Sequence, residues 1–274
     1  MTADSKKGTA LVTGASSGIG AIYADRLARR GYDLLLVARN RERLDTLAGR
    51  LARQTHRSVE VIAADLTRDS DLTRVEATLR SDPRITLLFN NAGFGASTPL
   101  LASNVEKMDE MISVNVRALT RLTYAAAPAF VARGAGVIIN NASIVAIAPE
   151  LLNGVYSASK AYVLAFTQSL QHELADKGIR VQAVLPGVTA TDFWKVVGMP
   201  IEQLPPQWVM SAEDLVDAAL AGLDLGEVVT IPALPDIADW KAFEAARLAL
   251  SPKLSNTVPA QRYRADGKAA GVTS

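Results

Sequence analysis

The chain has 274 residues, 49% hydrophobic and 21% charged, a balance that excludes dominant disorder, and at this length a large core can be buried. Twenty-nine Lys plus Arg against 28 Asp plus Glu give a formal charge of +1, which supplies no field for collecting a phosphate backbone, so no nucleic-acid partner is expected. Cysteine is absent, which removes disulfides, thiolate zinc sites, iron–sulfur clusters and a cysteine nucleophile; His56 and His172 show no metal-ligand spacing, and no metal is expected.

Residues 1–8 are polar, with Lys6 and Lys7, and lead into an apolar run too short for a secretory or membrane segment. Later apolar stretches are interrupted by Pro128, Arg133 and Pro149, so no membrane span and a cytoplasmic location are expected. Short apolar, β-branched runs predict strands at 9–13, 33–38, 58–63, 86–90, 137–142, 180–185 and 227–231. Helical patterns lie between them. In the second, Leu44, Leu47 and Leu51 recur at three- and four-residue steps, while Arg41, Glu42, Asp45 and Arg50 face solvent. Long helical patterns run over about 104–131 and 155–177, and a shorter one over about 211–222.

Such alternation predicts a doubly wound α/β fold of the Rossmann type, with about seven parallel strands and helices on both faces. Neither a repeat nor a low-complexity linker interrupts it, so one domain over 1–274 is expected. From Met199, the residues Pro200, Pro205, Pro206, Trp208 and Met210 mark an irregular insertion, and the tail from about 252 reads as loosely held.

The first strand runs into Thr13-Gly14-Ala15-Ser16-Ser17-Gly18-Ile19-Gly20, and a helical pattern opens at once with Ile22, Tyr23 and Leu27. Glycines in this context allow a tight turn and close backbone approach to a pyrophosphate, which the free N–H groups of the helix start then bind. Alone they are a weak signal: with glycine at about 7% of average sequence, three at fixed offsets arise about once in 3,000 positions. The same octet satisfies G-x-S-x-G, so a serine hydrolase using Ser16 is an alternative. It lacks a histidine in the required place, because only His56 and His172 are available.

Four further landmarks follow in order: Asp65-Leu66; Asn90-Asn91-Ala92-Gly93; Ser143 with Tyr156-Ser157-Ala158-Ser159-Lys160; and Pro186-Gly187. With the glycine octet they resemble the classical short-chain dehydrogenase/reductase family over about residues 9–192. The resemblance implies a catalytic set of Asn115, Ser143, Tyr156 and Lys160. Tyr156 and Lys160 are four residues apart, on one helix face, and an ammonium there is expected to lower a phenol from its ordinary value of about 10, making Tyr156 the general acid or base. Ser143 is expected to bond the substrate oxygen and Lys160 the nicotinamide ribose. Asn115, read by itself, caps a local kink; the resemblance makes it the holder of a water linking Lys160 to solvent.

The resemblance further implies that Gly14, Ser16, Ser17, Gly18, Ile19 and Gly20 cradle the pyrophosphate. It places Asp65 and Leu66 at the adenine, Asn91, Ala92 and Gly93 along the cofactor, and Pro186, Gly187, Thr189 and Thr191 at the nicotinamide carboxamide. NAD-preferring folds carry an acid at the end of the second strand. Ala38 stands there instead, with Arg39 next and Arg41 and Arg43 close behind, so NADP(H) is expected, its 2′-phosphate held mainly by Arg39 because Ser17 is uncharged.

Phe94, Ile144, Leu151, Leu152 and Val155 flank the catalytic segments, and Phe193, Trp194, Val196, Val197 and Met199 fall in a segment resembling the family's lid, at about 192–212. Phe94, Ile144, Leu151, Phe193 and Trp194 are the expected substrate contacts, implying a bulky apolar carbonyl or alcohol. A catalytically silent NADP-binding sensor or interaction protein is the other alternative, opposed by the complete catalytic set. Family members assemble through the two long helices, so a homodimer or homotetramer is expected.

Overall fold

Strands buried on both faces carry apolar residues at consecutive positions, and these do. The structure, a computed structural model, describes residues 7–264. β1 (Thr9–Thr13), β2 (Asp33–Ala38), β3 (Val59–Ala63), β4 (Ile85–Asn90), β5 (Gly136–Asn141), β6 (Ile179–Val184) and β7 (Val229–Thr230) form one parallel sheet in the order β3-β2-β1-β4-β5-β6-β7. The expected Rossmann-type architecture is therefore present, with strand ends shifted by one or two residues. The last strand is the exception in length: only Val229 and Thr230 pair with Ala183 and Val184 of β6.

Between the strands lie α1 (Gly18–Arg29), α2 (Arg41–Thr55), α3 (Asp69–Ser81), α4 (Val105–Ile112), α5 (Leu119–Arg133), α6 (Gly154–Leu174), α7 (Phe193–Val197) and α8 (Ala212–Asp224). Period-two alternation divides the core. Ala10 and Val12 point with Leu34 and Leu36 to one face, covered by α1, α2 and α8, while Leu11, Leu35 and Val37 point to the other, covered by α3, α5 and α6. The predicted Leu44, Leu47 and Leu51 stripe is the buried side of α2.

Two features differ from the sequence reading. The helical pattern at 104–131 is not one regular helix: a π-helical segment, Ser113–Ala118, separates α4 from α5. Periodicity is blind to this, because one widened turn leaves the apolar spacing on either side intact. Secondly, the sequence reading gave no helix after the last strand, whereas the chain, which falls into two compact units, one ending at Ala233 and one beginning at Leu234, has one there. The second contains α9 (Ile237–Leu250), absent from the expected elements. Asp236 caps α9 by accepting from Ala238 N, and Trp240 stacks on Phe243 at 5.4 Å. Its cap was legible in the sequence, but its apolar residues are spread round the helix rather than gathered on a stripe. Of the tail from 252, residues 265–274 lie outside the described residues; 252–264 are exposed and include two single-turn 3₁₀ segments.

Opposite charges tie helices together where the apolar stripes end. Glu76 on α3 is buried and ion-pairs with Arg80 and, across to α5, Arg121, which together hold its carboxyl below the usual carboxylate range against the opposing effect of burial.

Tyr23 on α1 lies in the core with its ring 3.9 Å from that of Phe89, and its hydroxyl has no hydrogen-bond partner among the described residues. An unpaired buried hydroxyl costs stability. Tyr23→Phe is expected to raise the unfolding free energy by about 1 kcal/mol, read as a higher urea midpoint at unchanged slope; a lower midpoint would show that the hydroxyl is paired.

Candidate active site

The site is assembled at the carboxyl ends of β1, β4 and β5, beside the point where strand order reverses between β1 and β4. Thr13 ends β1. Its hydroxyl donates to Phe89 O at 3.2 Å and accepts from Asn91 N at 2.9 Å and Ala92 N at 3.0 Å. Asn91 returns the bond, donating through Nδ2 to Thr13 O at 3.0 Å and Gly14 O at 3.2 Å, while its Oδ1 accepts from Asn141 Nδ2 at 2.9 Å. Asn91, expected along the cofactor, thus spends its carboxamide on fixing the glycine turn and the strand ends.

Gly14 and Gly18 adopt φ of +63° and +53°, open to glycine at little cost. Gly20 serves packing instead, since a Cβ there would lie 2.3 Å from Gly14 O. The start of α1 has neither a side-chain cap nor an acidic residue in its first turn, so its free N–H groups are left for an anion. Ser16 lines an open cavity of about 420 Å³ shared with Asn40, Glu42, Arg43, Thr46, Leu47 and Arg50. Arg39, just past β2, is exposed and has no ion-pair or hydrogen-bond partner among the described residues, whereas Arg41 is engaged by Asp45 at 2.8 Å. An uncapped helix start, a glycine turn and a free guanidinium fit an anionic dinucleotide.

Other expected cofactor residues line up less uniformly. Asp65 Oδ1 accepts from Thr67 N and Oγ1, capping the turn before α3, and Leu66 beside it is buried. Thr191 stands opposite the glycine turn, its methyl 3.4 Å from where a Gly18 Cβ would be. Thr189 is buried, its hydroxyl donating to Gly187 O at 3.2 Å; Pro186 O accepts from Ile144 N at 3.0 Å and faces Ser143 Oγ at 3.4 Å.

Ser143, Tyr156 and Lys160 are all buried. Lys160 Nζ donates to Asn141 O at 2.7 Å and lies 5.8 Å from the centre of the Tyr156 ring. Burial lowers the Lys160 ammonium to about 8. Burial also pushes the Tyr156 phenol up to about 12, with the Ser143 hydroxyl pulling against that rise. This corrects the expectation that Lys160 sets the phenol below its ordinary value: desolvation is the largest influence here. Asn115 sits within the π-helical segment, where the widened turn accommodates it facing inward. Its Nδ2 donates to Phe94 O and Ser159 Oγ, both at 3.0 Å, and its Oδ1 accepts from Phe94 N at 3.2 Å.

Around Tyr156 the surroundings are apolar: Met111 and Val145 are buried with it, and Phe94, Ala96, Met108, Leu152, Val155 and Phe193 pack against them. Phe193 comes within 5.7 Å of the Tyr156 ring, centre to centre. Ile144 is half-buried in the turn that follows Ser143, whereas Leu151 is 55% exposed. Trp194 is buried and turned toward its own loop, its indole N–H donating to Thr189 O at 2.9 Å. For the hydrolase alternative, Ser16 follows β1 at the carboxyl edge of the sheet. His56 precedes β3 and His172 precedes β6, at the opposite edge, so neither serves Ser16 as a base.

Sequence reasoning left three site residues unassigned. Ser159 links Asn115 to the backbone of Tyr156, donating to Tyr156 O at 2.7 Å. Asn141 holds both Lys160 and Asn91, and its own Oδ1 is buried without a partner among the described residues. Gly95 is pressed between Phe193 and Tyr156. Ser159 lay within the quoted catalytic segment; the other two carried no signal.

Residues 8–200 match the short chain dehydrogenase family, and the chain belongs to it. It is similar to a short-chain dehydrogenase from Sphingobium yanoikuyae solved in complex with NADPH, at 48% identity over 93% of this chain and 100% of that one, with a TM-score of 0.90. A bulky-bulky ketone specific alcohol dehydrogenase from Comamonas testosteroni is 45% identical over 94% of this chain and 99% of its own, with a TM-score of 0.87. The very-long-chain 3-oxoacyl-CoA reductase of Anas platyrhynchos is 36% identical over 208 residues, 74% of this chain and 66% of that protein. Among the described residues no helix is long and apolar enough to cross a membrane, and no group of three metal-ligating side chains forms.

A lysine lowered to about 8 in the folded chain and near 10.4 when unfolded binds fewer protons when folded across that interval. Its destabilising burial is therefore fully present below pH 8 and relieved as pH rises to about 10.4. Relative to Lys160→Met, the native protein is expected to gain stability between pH 7 and 10, with a ceiling on the order of 3 kcal/mol. Parallel pH profiles of the two unfolding free energies would show that Lys160 does not titrate there.

Proposed function

We propose that the protein is an NADP(H)-dependent oxidoreductase that exchanges a hydride between the nicotinamide and a bulky, apolar ketone or secondary alcohol. The observation that carries this reading is the joint burial of Ser143, Tyr156 and Lys160 in an apolar surround beside an uncapped, glycine-lined helix start. Arg39, unpaired among the described residues and following Ala38 rather than an acid, supports NADP(H) through charge-assisted bonds to the 2′-phosphate. The NADPH complex of the Sphingobium relative supports the same cofactor. The bulky-ketone specificity of the Comamonas relative supports the substrate class, as do the apolar neighbours of Tyr156.

When bound, the nicotinamide supplies or takes up the hydride. Ser143 Oγ donates to the substrate oxygen and orients it. In the reducing direction Tyr156 passes its phenolic proton to that oxygen; in the oxidising direction it takes the proton back. A phenol near 12 is fully protonated at neutral pH, so the donor is loaded before reduction begins, and an alkoxide is a much stronger base than phenolate. Lys160, near 8, is mostly charged at pH 7 and stabilises the phenolate left behind, and it also holds the ribose hydroxyls. Asn115 keeps the water through which the proton is replaced. Asp65, Gly93, Thr189 and Thr191 would line the remaining length of the cofactor.

The protein works in the cytoplasm as a homodimer or homotetramer. The α5–α6 surface supports self-association: Tyr124 is 69% exposed and stacks on Phe166, which also stacks on Tyr162.

Tyr156→Phe is expected to abolish ketone reduction while leaving the NADPH dissociation constant within about threefold, read by turnover and by fluorescence titration; undiminished turnover would remove Tyr156 as the proton donor, and unaltered inactivity in both proteins would favour the sensor. In the same titration Arg39→Ala is expected to weaken NADPH by about tenfold to a hundredfold and leave NADH nearly unchanged, the loss of a charge-assisted bond worth about 1.5–3 kcal/mol. Equal weakening of both cofactors would mean that Arg39 does not read the 2′-phosphate.

A further inference from the structure

Gly95 has no need of glycine on backbone grounds, because its φ lies outside the left-handed region. Space is what requires it. A Cβ at this position would meet Phe193 Cζ at 2.6 Å and Cε2 at 2.9 Å, and Tyr156 Cε2 at 3.2 Å. The tip of the Phe193 ring therefore fills the volume that a side chain at 95 would take. The notch is held firmly in place, since Asn115 grips both the N–H and the carbonyl of the preceding Phe94.

α7, which carries Phe193, is fastened to the same loop at its other end, where Ser97 Oγ donates to Val197 O at 2.9 Å. Its base is closed by Thr189 paired with Met210 and by the Trp194 indole on Thr189 O. Only the half-buried Phe193 ring reaches from this helix into the apolar cluster beside the Tyr156 ring.

A carbonyl bound at the Tyr156 hydroxyl would have the Phe193 ring as an aromatic neighbour. Resting on the reductase reading given above, we propose that Gly95 and Phe193 form a size gate. Seated in the notch, the ring narrows the pocket and favours a small substituent; lifted from it, the ring yields space for a second large one. Gly95 is thereby a specificity-determining residue that acts through Phe193, without bonding the substrate itself.

The test compares NADPH-dependent reduction of acetophenone, with one methyl substituent, and valerophenone, with a butyl in its place. Phe193→Ala is expected to raise the ratio of kcat/KM for valerophenone over acetophenone at least tenfold, with NADPH affinity unchanged. A second readout does not depend on catalysis: Gly95→Ala is expected to lower Tm by several degrees, and Gly95→Ala with Phe193→Ala to recover most of that loss, because the emptied notch accepts the new methyl. A ratio within twofold of wild type, or Tm losses that simply add, would overturn the gate. Wild-type protein that binds NADPH yet reduces neither ketone would overturn the proposed reaction and the gate together, whereas an active wild type with an unmoved ratio overturns the gate alone.

Discussion

One hydroxyl and one carboxamide hold the ends of three strands. Thr13 binds the carbonyl of Phe89 and the N–H groups of Asn91 and Ala92, and Asn91 binds back to Thr13 and Gly14 while accepting from Asn141. Parallel strands end with unpaired backbone groups, and at β1, β4 and β5 such groups are taken up by the side chains of Thr13, Asn91 and Lys160. Everything chemical hangs from this junction. The glycine turn leaves from one side of it, Lys160 is anchored to the Asn141 carbonyl on the other, and the loop from Ala92 runs on to Phe94, where Asn115 takes hold. A second polar string lies behind it: Asn90 donates to Thr123 and Asn140, and Asn140 to Thr167, binding β4 and β5 to α5 and α6 inside an otherwise apolar layer.

That rigidity explains how a buried lysine and a buried tyrosine can coexist. Each is displaced in the direction that favours its neutral form, the lysine downward and the phenol upward. A flexible site would relax by admitting water and letting Lys160 reach solvent. Here Nζ is held by a strand carbonyl, and the phenol is walled by Met111, Val145 and Phe193, so the cost of burial is retained in the folded chain. The upward shift keeps the phenol protonated at neutral pH, while the downward shift of Lys160 stops short of neutrality and leaves the ammonium mostly charged.

The fold and most of the site were legible in the sequence because both are written in local terms. Apolar runs gave strands to within a residue or two, and Tyr156 with Lys160 on one helix face is a consequence of spacing alone. What remained hidden depends on neighbours distant in sequence. That Asn91 is spent on Thr13, 78 residues away, or that Trp194 turns inward to Thr189, follows from tertiary geometry and from no pattern in either segment. The π-helical turn at Asn115 hid for a different reason: its one extra residue per turn is absorbed within a continuous helical pattern. The reversed shift of Tyr156 hid because charge spacing is visible in a sequence and desolvation is not.

Glycine shows the same boundary most sharply. Gly14 and Gly18 are read correctly from their motif, since a turn of that type demands φ near +60° and the residues around it announce the turn. Gly93 and Gly95 have ordinary backbones, and only the folded chain reveals why nothing larger stands there. A Cβ at 93 would lie 2.7 Å from Asn115 Oδ1, and one at 95 would strike Phe193. The first absence leaves room for the Asn115 carboxamide oxygen, and the second for the ring of Phe193. In this loop, then, the missing side chains are themselves part of the site: they leave the room that the Asn115 carboxamide and the Phe193 ring occupy.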